Sequence, residues 1–191
     1  MKSEALKKMS GERTLYAIFS ELFNNPDEGF KGLVEECVNA LLNQSGYPKE
    51  ALKEVQSFQK EIAGLSIDEM QGNYSYTFEL SADYTLDLGH HLFDGFKRAN
   101  TLLSIKMMYK KYGFPFDSLA GGELPDNLVY VLRFLSILDD GEPVKKDFRE
   151  DFVVKALEKL DKNFDIKGKQ NIYRHLVRAI YIIIDKDVKV S

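Results

Sequence analysis

GGELPDNLVYVLRFL, residues 121–135, places two glycines, an acid and a proline in front of a run with almost no polar face. Pro125 suits a first helical position, because its fixed φ matches a helix and its missing N–H would have no intrahelical partner there. Asp126 then falls in the first turn. A carboxylate at that place meets the positive end of the helix dipole and unpaired N–H groups, worth about 0.3–1 kcal/mol at an exposed site. Farther on, Leu128, Val131, Leu132, Leu135 and Leu138 line one face, and Tyr130, Phe134 and Ile137 cover much of the other, interrupted by Arg133 and Ser136. A helix apolar nearly all round is either central in a core or partly reserved for a partner. Gly121 and Gly122 tolerate backbone conformations that strain other residues, so the entry to this helix is adjustable.

Helical spacing of apolar residues continues through nearly the whole chain, and convincing period-two alternation is missing, so the fold class is all-α. Ser3 is placed to cap a first helix carrying Leu6, Met9, Tyr16, Phe19 and Phe23, stopped by Asn24-Asn25-Pro26. A second helix spans about Asp27 to Asn43, and a third starts at Pro48 and ends at Gly64. Ser66 and Glu69 match a capping box that opens a fourth helix toward Leu80. Residues 81–95, SADYTLDLGHHLFDG, break the pattern, and a fifth helix follows from about Phe96 to Tyr112. After the loop 114–122 the quoted segment opens the sixth. Beyond the break Asp139-Asp140-Gly141-Glu142-Pro143, one helix carries Phe148, Phe152, Leu157, Leu160 and Phe164, and the last carries Ile172, Leu176, Ile180 and Ile183. The pattern predicts a single helical domain over residues 1–191, a bundle of about eight helices, with residues 114–125 as the place for a hinge between lobes.

Composition narrows the function classes. Lys and Arg total 26 against 30 Asp and Glu, a net charge of -4, so the chain as a whole presents no basic field for nucleic acid or an anionic membrane. A lone cysteine, Cys37, excludes an internal disulfide and a cysteine-pair zinc site, and suits a reducing compartment such as the cytoplasm. MKSEALKKMSGERTLY reads as a charged amphipathic helix without the apolar run of a signal peptide. The longest strongly apolar stretch, Ala179 to Ile184, falls far short of the ~20 residues that cross a bilayer.

Motifs for catalysis are sparse. His90-His91 is the only histidine cluster, neighbouring residues of an extended loop point opposite ways, and no HExxH or paired Cys/His spacing is present. Neither a Gly-x-Ser-x-Gly elbow nor a phosphate-binding glycine loop occurs. Lys106, Lys110 and Lys111, beside tyrosines and near many acids, read as a solvated helix edge. No catalytic residue, metal ligand or cofactor is expected.

Glu123-Leu124-Pro125-Asp126-Asn127-Leu128, followed by Val131-Leu132-Arg133-Phe134-Leu135, resembles the glutamate-leucine-proline-aspartate-histidine-leucine segment of the nitrate reductase delta-subunit (NarJ-type) chaperones, relatives of the TorD and DmsD chaperones. Tyr74 and Phe78, Arg98 eleven residues before Tyr109, and Gly113 four later match the family's upstream pattern. Departures are Asn127 for the usual histidine, Val129 for a proline, Arg133 for a glutamate and Ala99 for a glycine. The resemblance implies a TorD/NarJ-like fold and an assembly chaperone without enzymatic activity. Its partner would be the N-terminal segment of a molybdenum or tungsten oxidoreductase catalytic subunit, held for insertion of the molybdenum cofactor before membrane attachment or export, with cofactor-biosynthesis proteins as further partners. It also implies a monomer or weak homodimer. Glu123, Asp126 and Asn127 are then the polar peptide contacts, Leu124, Leu128 and Tyr109 the apolar wall, and Arg98 either a contact or the structural brace of Glu123 or Asp126. Two rival readings are a metal-dependent enzyme using the His90-His91 loop with Asp83, Asp87 and Asp94, and a helical oligomerisation module.

Overall fold

The computed structural model describes residues 13–44 and 46–190, so the expected cap at Ser3, with Leu6 and Met9, lies outside the described residues. Its helices are α1 (Leu15–Leu22), α2 (Phe30–Asn43), α3 (Lys49–Ile62), α4 (Ile67–Tyr74), α5 (Gly95–Lys111), α6 (Phe116–Leu119), α7 (Leu128–Ile137), α8 (Pro143–Phe148), α9 (Val154–Lys167) and α10 (Arg174–Val190). The described residues contain no strand, and the all-α expectation holds.

Local chemistry explains most boundaries. Thr14 caps α1 by accepting from the Ala17 N–H at 3.3 Å. Ser66 and Glu69 form the expected box: Ser66 Oγ accepts from Glu69 N–H at 3.3 Å, and Glu69 Oε2 accepts from Ser66 N–H at 2.8 Å. The Glu69 carboxyl is held below its usual range by those bonds. The helix toward Leu80 does not stay regular. At Ser75–Glu79 it widens into a π-turn, as does the chain at Arg149–Val153 between α8 and α9. A π-turn adds one residue to a turn without disturbing apolar spacing enough to be read in sequence.

Packing is layered. α10 lies against α3 and α9, α2 bridges α1 and α3, and α7 packs on α1. An aromatic cluster fixes the middle: Phe78 sits 4.8 Å from Tyr173 and 5.3 Å from Tyr74, with Phe23 and Phe58 at its edges. Tyr74 donates to the Phe23 carbonyl at 3.1 Å, so Tyr74 and Phe78 belong to the core. Of the two possibilities for the apolar helix, the core wins: from Leu128 to Leu135 every α7 residue except Arg133 is buried.

The start of α7 differs from the expectation. Pro125 and Asp126 precede the helix, which begins at Leu128 with Asn127 as its N-cap; Asn127 Oδ1 accepts from the Val129 N–H at 3.0 Å. The reason is a pairing outside the helix. Leu128 N–H donates to the Leu86 carbonyl at 2.8 Å and Leu88 N–H to the Asp126 carbonyl at 3.0 Å, making an antiparallel bridge between Asp87 and Asn127. Extended backbone at 126–127 is therefore fixed by a partner segment forty residues away, which local propensity cannot supply.

Candidate functional site

The chain leaves α5 through a helix stop that the sequence encodes in one glycine. Gly113 has φ 70°, its N–H donates to the Lys110 carbonyl at 3.2 Å, and Phe114 N–H donates to the Tyr109 carbonyl at 2.9 Å. This is a Schellman motif, which a side chain at 113 would strain. Phe114 and Phe116 then fold back on Tyr109, with ring centroids 4.9 and 5.5 Å away, and Phe116 meets Tyr130 edge-on at 5.4 Å. Tyr130 Oη donates to the Leu119 carbonyl at 3.2 Å. Pinned on both sides, the segment exposes a short turn at 121–124, where Gly121 and Gly122 take φ 56° and 107°. Within the 114–125 stretch, positive-φ backbone is confined to Gly121 and Gly122.

Under the exposed turn lies an ionic floor. Asp126 is fully buried; its Oδ2 accepts from the Gly89 N–H at 2.9 Å and stands 3.9 Å from the Arg98 guanidinium. The same guanidinium bonds Asp87 Oδ2 at 3.2 Å. Asp126 Oδ1 and Arg98 Nε are buried with no hydrogen-bond partner among the described residues. Burial, reinforced by the neighbouring Asp87 charge, pushes the Asp126 carboxyl up to about 6, against the opposing pull of the Gly89 N–H and Arg98. Tyr109 Oη donates to the Pro125 carbonyl at 2.8 Å, and burial followed by the Asp126 charge raises its hydroxyl.

These contacts sort the expected site residues. Glu123 and Leu124 are exposed, and Glu123 Oε2 accepts from Asn127 Nδ2 at 3.3 Å. Asp126, Asn127, Leu128 and Tyr109 are buried beneath them, so their surfaces support the mouth instead of lining it. Arg98 braces Asp126, as one of its two readings held, but its closer partner is Asp87. Gly89 was not among the expected site residues, and Asp87 was expected only as a metal ligand in the rival reading, not as a partner of Arg98. The signal available was the Asp-Leu-Gly break in the loop before Arg98, which marks a close backbone approach without revealing to what.

His90 and His91 lie on a 3-10 turn, Leu88–His91, instead of extended backbone, with ring centroids 5.6 Å apart and perpendicular. His91 Nε2 meets the Thr85 carbonyl at 2.9 Å, and burial lowers its basicity. No group of three potential metal ligands converges among the described residues. Cys37 is fully buried, its thiol pushed up by burial, and it packs as a small apolar side chain. Two mixed-charge clefts lie elsewhere, one of about 470 Å³ beside Arg13, Glu36 and Arg133, the other of about 670 Å³ beside Tyr47, Lys146 and Asp187. Among the described residues no helix is long and apolar enough to cross a membrane.

No family model matches the chain, and no curated protein is significantly similar to it.

Proposed function

We propose that this chain is a dedicated assembly chaperone, binding the N-terminal segment of a molybdenum or tungsten oxidoreductase catalytic subunit while cofactor is inserted. What supports this reading is the meeting of residues scattered along the family pattern. Arg98, Tyr109, Gly113, Pro125 and Asp126 form one connected floor beneath a short, glycine-jointed, acidic turn. A floor of that kind anchors the backbone of 125–128 at the base of the turn, while Glu123 and Leu124 remain accessible to a basic, apolar peptide.

Calorimetry with the N-terminal peptide of a molybdopterin oxidoreductase catalytic subunit from the same organism tests the reading. Glu123→Ala combined with Leu124→Ala is expected to weaken binding about tenfold or more without lowering stability, since both side chains are exposed. Equal affinity for a scrambled peptide would reject it. The alternative of a metal-dependent enzyme gains no support from His91, whose Nε2 faces a backbone carbonyl.

A further inference from the structure

α5 is built unlike the rest of the molecule. Its sequence, GFKRANTLLSIKMMYKK, carries five cations and no acid, in a chain whose net charge is -4. Only Ile105 and Tyr109 are buried, and its main neighbours are the Leu88–His91 turn and α6, so the helix stands at the edge of the bundle. Its outer side is apolar. Phe96 is 91% exposed, Leu103 60% and Met107 64%. At about 100° per residue these three fall within roughly 40° of one another on the helix, opposite Ile105. Lys106 and Lys110 flank the stripe on one side, Lys97 and Lys111 on the other. Lys106 pairs with Asp117 at 2.7 Å; Lys97, Lys110 and Lys111 make no ion pair with a described residue. Ser104, beside the stripe, turns its hydroxyl back onto the Asn100 carbonyl at 2.9 Å, which removes one polar group from competition on this side.

We propose that the outer face of α5 is a docking surface for an anionic lipid bilayer, holding the protein at the membrane surface. Apolar side chains enter the headgroup boundary while the lysines, on long flexible stems, rise to the phosphates on both sides of the stripe. The net charge of the chain hides this because the acids are placed on other elements. Charge complementarity selects the occupant. A second copy pairing through the same face would set lysine rim against lysine rim. A partner helix would have to seat the polar Asn100 between Phe96 and Leu103, whereas a lipid surface demands no register. The inference is independent of peptide binding at 121–124.

Vesicle flotation of the full chain is the test, comparing phosphatidylcholine alone with vesicles carrying about one-third phosphatidylglycerol. The protein is expected to float with the anionic vesicles and to stay in solution with the neutral ones. Lys97→Glu, Lys110→Glu and Lys111→Glu together should lower anionic-vesicle affinity about tenfold or more. Leu103→Ser with Met107→Ser should lower it comparably, with unchanged circular dichroism because both positions are exposed. Absence of flotation with anionic vesicles, or flotation unaffected by either set, would overturn the proposal. So would a concentration-dependent mass abolished by the apolar pair, which would assign the face to a second copy.

Discussion

Asp126 carries a charge into a place that disfavours it. Its folded value near 6 exceeds the ordinary 3.8, so between those values the folded state binds more protons than the unfolded chain. Its favourable contribution is therefore complete below about pH 4 and is lost as pH rises through 6. Asp126→Asn, which keeps an acceptor for the Gly89 N–H, should gain roughly 1–3 kcal/mol over the parent at pH 7, and that gain should vanish near pH 4. Urea unfolding at the two pH values measures the difference. Gly89 is the complementary residue: a Cβ there would lie 2.6 Å from Asp126 Oδ2. Gly89→Ala should cost about 1–3 kcal/mol, while Gly72→Ala in α4, where an added Cβ meets nothing within 4 Å, should be neutral or gain up to about 1 kcal/mol. At this scale the sequence was misleading at Asp126 and Asn127. A proline followed by an acid reads as a helix start, and only the tertiary bridge to Asp87 moves the cap to Asn127.

Among the elements, α5 has two faces with opposite energetics. Ile105 and Tyr109 anchor it, so Ile105→Ala should cost about 2–4 kcal/mol, whereas Leu103→Ala should change stability by less than about 0.5 kcal/mol. Thermal or urea denaturation of the two variants separates the faces. Sequence placed α5 within a residue or two, because Gly113-Phe114-Pro115 is a strong stop and the preceding loop is rich in polar punctuation. What it concealed was orientation. Phe96, Leu103 and Met107 fit helical spacing as well as Ile105 and Tyr109 do, and nothing local says which apolar stripe faces inward. The π-turns were hidden for a similar reason, since one inserted residue shifts the buried face by less than the width of an apolar stripe.

Across the whole molecule, a polar network joins elements far apart in sequence. Tyr16 on α1 donates to Asp187 Oδ2 on α10 at 2.6 Å and accepts from the Arg149 guanidinium at 3.2 Å, while Tyr47 donates to the same carboxylate at 3.3 Å. Tyr16→Phe should cost about 1–3 kcal/mol by stripping a partly buried carboxylate of a donor, and should leave a single cooperative unfolding transition. The bundle itself was readable from spacing and punctuation: the capping box at Ser66, the proline start at Pro143 and the glycine stop at Gly113 agree with one another. Long-range partners such as Tyr16 with Asp187, or Asp87 with Asn127, were not, because no period or motif links residues so far apart. The proposal has the exposed 121–124 turn, above the Arg98–Asp126 floor, receive a client N-terminus. Titration calorimetry of the full chain with the N-terminal peptide of a molybdopterin oxidoreductase catalytic subunit from the same organism decides it. Saturable binding, absent with a scrambled peptide and weakened about tenfold by Glu123→Ala with Leu124→Ala, is expected; affinity unchanged by those substitutions, or no preference over the scrambled peptide, would overturn the proposal.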